Sequence, residues 1–276
     1  MPSDIPTAPA SSLNAGPIIR LGEVLAGAMP FNVGNVSDTY RGVIFTEQGE
    51  QTAVIKDLEP KELANEVLAA ALGIRLGLPI PPPYIALAHP DRFTARKGPT
   101  LGDAKLVYAS VDVRQPHVAA LYFSGGGRAV LERLAQWQAL GRLYGFDALV
   151  ANIDRHAGNI LFSGDKEVWL IDHGQCFTGP DWQPGDLEAP DRPVRSRLTE
   201  WLTPVLDYDQ RIAVADDAAL VELDTKGLDF QALAVVNHVA HLLTSGDLEA
   251  VMSFLSSRRA HVPRLAASTL ELERLV

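Results

Sequence analysis

The segment 152–174, NIDRHAGNILFSGDKEVWLIDHG, restricts this chain more than any other. It carries two apolar runs, 160–162 and 168–171, each too short for a helix. Between them stands Ser163-Gly164-Asp165. Short apolar runs around a Gly-containing polar break predict a hairpin. A hairpin sets the residues before its first strand beside the residues after its second. Asp154 and Asn159 lie before it and Asp172 after it, so three oxygen-bearing side chains are expected at its open end.

The flanks fill in the architecture. Residues 128–151 read as one long helix, because Leu140, Leu143, Tyr144, Ala148 and Ala151 recur at three- and four-residue steps. Upstream, 41–56 reads as a first hairpin, with apolar runs 43–45 and 53–55 around a polar turn at 47–51. A helix is predicted over 60–77. Pro60 suits its first position, and Leu63, Val67, Ala70, Ala71 and Ile74 share one face. The prolines at 79–83 cannot continue it. Residues 84–88 and 105–113 are further strand candidates, and 124–127 (Ser-Gly-Gly-Gly) is a loop. Residues 177–197 read as a long Pro/Gly/Asp-rich loop, and the remainder as mostly helical, most clearly at 233–243 and 248–255. Strands early and helices late predict an α+β protein with a sheet-rich N-terminal lobe and a helical C-terminal lobe. The expected divisions are a disordered tail at 1–16, a first lobe at 17–113 and a second at 114–276.

The residue types at the hairpin mouth suit phosphoryl transfer. That reaction needs positioning, a group to orient the acceptor, and oxygen ligands for magnesium. Asn159 and Asp172 would be the metal ligands, with Asp154 left to meet the acceptor. Each piece alone is a weak pattern: Asp154 could merely cap a turn, and Asp-x-Gly is a common turn. Their order, after an apolar helix and across a hairpin, is the stronger signal.

Asp154-Arg155-His156-Ala157-Gly158-Asn159 followed by Ile171-Asp172-His173-Gly174 resembles the catalytic core of HipA-like kinases and phosphatidylinositol kinases. Both are relatives of the protein-kinase fold. The loop lacks the His-Arg-Asp order of ordinary protein kinases, and His173 stands where they carry Phe. The resemblance implies a bilobal protein-kinase-like fold, ATP and Mg2+ as cofactors, Asp154 as the acceptor-orienting base, and Asn159 and Asp172 as metal ligands. It also implies that His156 is a secondary acid or base, the alternative being a loop histidine bonded to backbone. Arg155 would pair with a carboxylate or a phosphate.

The first lobe should then cradle ATP. Gly34-Asn35-Val36-Ser37 precedes the first hairpin, and its small and polar residues would admit phosphates to backbone amides; a plain turn is the alternative. Lys56 closes Ala53-Val54-Ile55-Lys56, which is close to the strand signature whose lysine reaches the α/β-phosphates. Glu66, in an Asn-Glu pair that HipA-like proteins share on this helix, would hold Lys56, with Glu62 as competitor. Backbone near Ala109 and Val111 would meet adenine, by order along the chain.

A net charge of −10 argues against a general nucleic-acid binder and mildly against a lipid kinase. No apolar run reaches the roughly 18 residues of a membrane span. One cysteine, Cys176, allows no internal disulfide and fits the cytoplasm. The acceptor expected is a Ser or Thr of a protein, with a phosphatidylinositol or small-molecule kinase as the alternative. The family's toxin–antitoxin members suggest a protein inhibitor as a partner. A pseudokinase is disfavoured, since Lys56, Asp154, Asn159 and Asp172 are all present. A zinc hydrolase built on His156, His173, Asp172 and Cys176 leaves Lys56 and Asn159 unexplained.

Overall fold

The computed structural model describes residues 16–31, 38–114, 116, 118–121, 127–163 and 167–272. The tail before residue 16, the candidate cradle Gly34, Asn35, Val36 and Ser37, and most of the 124–127 loop lie outside them.

The first hairpin is longer than the apolar runs alone indicate. β3 (Asp38–Thr46) and β4 (Gly49–Asp57) pair antiparallel from Asp38 opposite Asp57 to Thr46 opposite Gly49. β4 continues to β7 (Ala104–Val111), and β7 to β5 (Pro83–Ala88), both antiparallel. Three strands have no counterpart in the sequence reading, β1 (Arg20–Val24), β2 (Met29–Pro30) and β6 (Thr100–Leu101). β1 pairs parallel with β5 and antiparallel with β3, so β1-β5-β7-β4-β3 closes on itself as a small barrel. β2 and β6 are short additions on β3 and β7.

The period of two along each strand sorts the side chains. Ala53 and Ile55 of β4, Val107 and Ala109 of β7, and Val24, Ile44, Tyr84 and Ala86 pack together in the barrel core. Lys56 and Tyr108, opposite each other on β4 and β7, fall on the other face. That face meets α1 (Pro60–Arg75), which begins on Pro60 and is buried without interruption from Leu63 to Gly73. An amphipathic surface helix would not be buried all round. α1 lies between the sheet and the helical half, and its apolar residues belong to the larger core shared with that half.

The helix expected over 128–151 is two helices, α3 (Gly127–Leu134) and α4 (Leu140–Leu149), preceded by α2 (Val118–Leu121). The break at 135–139 redirects α4 so that Gly141 and Gly145 face α6 (Tyr208–Thr225). A Cβ on Gly141 would stand 2.5 Å from Asp217 Cβ, and one on Gly145 2.5 Å from the Ala218 carbonyl oxygen. Only glycine permits that approach.

After α4, β8 (Ile160–Ser163) and β9 (Glu167–Leu170) form the expected second hairpin, with Ile160 opposite Leu170. Residues 177–197 are a loop, as expected, but a packed one in which Phe177, Trp182 and Leu187 are buried. Beyond it lie α5 (Leu198–Trp201), α6, α7 (Phe230–Val236), α8 (Ser245–Arg258) and α9 (Val262–Thr269). The helix expected over 233–243 stops at Val236. Asn237 and His238, the latter at φ 66°, break it before a single 3-10 turn.

Candidate active site

Lys56, Glu66 and Asp172 meet where the barrel, α1 and the end of the second hairpin converge. Lys56 Nζ is hydrogen-bonded to Glu66 Oε1 and lies 3.0 Å from Asp172 Oδ1. Lys56 and Glu66 are buried, whereas the Asp172 side chain is 49% exposed. Burial opposes the lysine's charge, but Asp172 and Glu66 outweigh it and hold its pKa above the ordinary lysine value. Burial would likewise raise Glu66, but Lys56 and then His173 keep its carboxyl well below the usual range. Both charges therefore persist in the folded protein. Tyr108 lines the same wall, with Lys56 Nζ 5.9 Å from its ring centroid.

Asp172 takes φ 62°, the left-handed region that a non-glycine residue adopts only when its surroundings impose it. Here the His173 N–H donates to Glu66 Oε2 at 2.9 Å. The His173 ring is buried edge-on to Phe146, with Nδ1 3.6 Å from Glu66 Oε2. Burial pulls its pKa down.

The catalytic-loop candidates hang from a different anchor. Arg155 is wholly buried, and its guanidinium meets Asp147 of α4 (Nε to Oδ2, 3.1 Å). The same group donates to the Ile171 carbonyl at 2.9 Å and the Asn159 carbonyl at 3.4 Å. Arg155 is thus paired to a carboxylate and ties α4 to both ends of the hairpin. Asn152 donates to Asp147 Oδ1 at 3.1 Å and accepts the Asp154 N–H at 3.0 Å. Ile171 N–H donates to the Asn159 carbonyl at 3.0 Å. The Asn159 amide lies 3.5 Å from the Asp172 carbonyl oxygen and accepts the His156 N–H at 3.3 Å. The hairpin therefore brings Asn159 back to Asp172.

Asp154 is 35% exposed. Arg197 donates to its Oδ1 at 2.7 Å, and His156 Nε2 is 3.6 Å from its Oδ2. His156 Nδ1 accepts the Gly158 N–H at 2.9 Å, so the neutral ring carries its proton on Nε2, facing Asp154. Burial, the largest influence, lowers the His156 pKa. Both readings of His156 have a counterpart here: it is bonded to backbone, and it faces the carboxylate.

Glu62 is on the same side of α1 but does not hold Lys56. It packs against Gly174, and burial plus the Glu66 charge raise its carboxyl to about 7. Ala109 points into the barrel core, and its strand is paired on both edges. The Val111 N–H is taken by the Pro82 carbonyl at 3.1 Å. Among the described residues, no three His, Cys, Asp or Glu side chains are grouped to hold a metal ion, so the zinc alternative lacks a ligand set there. Cys176 is buried, and burial pushes its thiol pKa up.

Three residues of the site are not evident from sequence patterns, Asp147, Asn152 and Arg197, and Asn65 is visible only as the first member of the Asn-Glu pair. Asp147 has a signal. A lone acid in the apolar run Gly145-Phe146-Asp147-Ala148-Leu149 predicts a buried partner. Arg197 lies in a loop 43 positions from Asp154, and no local pattern connects them.

Comparison with known proteins agrees with this geometry. The model of the HipA-like kinase family matches residues 46–184, half of the chain and the whole of the stretch from β4 through the second hairpin. No curated protein matches in sequence. Among solved structures, the Helicobacter pylori proinflammatory kinase CtkA superposes with a TM-score of 0.57 at 15% identity, covering 90% of this chain and 97% of that one, which shows a shared fold. A Golgi casein kinase is a far weaker likeness, with a TM-score of 0.38 at 14% identity over 94% of this chain and 76% of the other. With the bilobal architecture and the family match in agreement, this chain belongs to the HipA-like kinase family and is a kinase.

Proposed function

We propose that this kinase transfers the γ-phosphoryl group of ATP to the hydroxyl of a serine or threonine in a protein, with magnesium as the accompanying ion. The observation that carries the reading is the buried Lys56–Glu66 pair reaching the half-exposed Asp172. A lysine kept charged and fixed beside an open carboxylate suits the α/β-phosphates and their ion. Asp172 and Asn159 supply the hard oxygen donors that magnesium prefers. When bound, the ion contributes charge neutralisation at the phosphates.

In this reading Asp154 orients the acceptor hydroxyl and takes its proton, and His156, whose Nε2 faces that carboxylate at 3.6 Å, is the secondary acid or base. Gly34, Asn35, Val36 and Ser37, a stretch of small and polar residues, would offer backbone amides to the phosphates. A protein acceptor is supported by the family and by the exposure of Asp154, which leaves it within reach of another chain's side chain. A protein inhibitor of the antitoxin kind and a cytoplasmic setting belong to the same proposal. They rest on the family and on the single buried thiol of Cys176.

One observation favours a second acceptor class. Arg192, Arg195 and Arg197 cluster in one short stretch of an otherwise acidic chain, and Arg197 touches Asp154. Such a cluster suits an anionic headgroup such as an inositol lipid. Labelled Mg-ATP offered with a protein extract, phosphatidylinositol vesicles and small alcohols separates the classes. The proposal predicts phosphoserine or phosphothreonine that disappears with Asp154→Asn. Label confined to lipid would replace the protein acceptor with the lipid one.

A further inference from the structure

Asn65, one residue before Glu66 on α1, makes more polar contacts across the site than Glu62 or Glu66. It is 1% exposed. Its Nδ2 donates to the carbonyl oxygens of Gly174 at 2.8 Å, Gly179 at 3.0 Å and Cys176 at 3.1 Å. Its Oδ1 accepts from Trp182 Nε1 at 3.0 Å. Two N–H groups facing three carbonyls means that one is shared. Lys61, one turn earlier, adds to the same fastening: its Nζ donates to the Trp182 carbonyl at 2.8 Å and stands 4.5 Å from the centre of the Trp182 ring.

These contacts weld α1 to the segment after Asp172. Glu66 holds Lys56 and the His173 N–H. Asn65, its neighbour, holds Gly174, Cys176, Gly179 and Trp182. A rotation or displacement of α1 that released Lys56 from Glu66 would also break the buried bonds of Asn65. Leaving those carbonyls unsatisfied is costly. The same bonds explain how Asp172 keeps its left-handed backbone, since His173 and Gly174 are both pinned to α1.

We propose that Asn65 is a positioning residue for phosphoryl transfer. It fixes the 174–182 segment to α1, so that Lys56, Glu66 and Asp172 stay assembled. The activity arm of this proposal rests on the phosphoryl-transfer reading; the structural arm does not.

The test compares wild type with Asn65→Ala and Asn65→Asp, the latter similar in size but lacking the donors. Assays run well below each variant's melting temperature. The expected result is a fall of tenfold or more in kcat/KM for ATP. Amide hydrogen exchange at 173–179 should accelerate together with exchange in α1. Wild-type kcat/KM with unchanged exchange in both variants would overturn the proposal. If the Asn65 variants do not fold, Trp182→Phe removes one of the four contacts and should give a smaller loss, about threefold, with faster exchange at 173–179; no change in either would count against the proposal. If wild type transfers no phosphate to any acceptor, the transfer reading fails, and the exchange data still decide whether Asn65 holds the segment.

Discussion

At the scale of single residues, charge is buried at this site only where it is paired. Arg155 has no solvent contact, and burial opposes its charge, but Asp147 holds its pKa above the ordinary arginine value. Removing one member of a buried pair strands the other, at a cost of about 3–5 kcal/mol. Asp147→Asn should therefore lower unfolding stability by that amount in a denaturant titration, whereas Asp147→Leu combined with Arg155→Met should recover much of it. A loss below about 1 kcal/mol for the single variant would show that the pair does not anchor the loop. Legibility divides along the same line. Asp154, Asn159, Asp172, Lys56 and Glu66 stand in ordered local patterns and can be found from the sequence. Asn65 and Arg197 act on partners 109–117 and 43 positions away, and no local spacing encodes contacts of that range. Asn152 has its partner Asp147 close by, but it serves the site only through the buried network around Arg155.

At the scale of elements, hairpins are legible and closure is not. The β3–β4 and β8–β9 pairs have apolar runs on either side of a polar turn, and their register follows from the turn. β1 has no such neighbour in sequence: Arg20-Leu21-Gly22-Glu23-Val24 buries only Val24 fully, and its pairing partners lie far along the chain, at 44–46 and 84–87. Helix ends show the same division. α6 announces its start through Asp207 and Gln210, which cap each other's backbone reciprocally. The break between α3 and α4 has no glycine or proline to mark it and is imposed by packing against α6. β1 is held from outside the barrel: Asn237 Oδ1 accepts the N–H groups of Ile18 and Ile19, both at 2.8 Å. Asn237→Ala leaves both donors unmet and should cost about 2–6 kcal/mol, given about 1–3 kcal/mol for each unsatisfied buried group. Hydrogen exchange at Ile18, Ile19 and along β1 should accelerate; unchanged protection there would show that the barrel closes without this clip.

At the scale of the molecule, a closed barrel and a helical half share α1, and the site forms where all three meet. Composition and element order are enough to anticipate the two-part α+β design, because strand-forming and helix-forming stretches segregate along the chain. They do not show that α1 is buried on every side, since its pattern of Leu63, Val67, Ala70 and Ile74 resembles an ordinary one-faced helix. The central claim is that Asp172, held by the pair on α1 and β4, is where the nucleotide and its ion bind. Calorimetry of Mg-ATP binding to wild type, Asp172→Ala and Lys56→Met tests this most directly. Wild type should bind measurably, and binding should weaken at least tenfold in both variants, about 1.4 kcal/mol or more. Equal affinity of wild type and Asp172→Ala for Mg-ATP would contradict it.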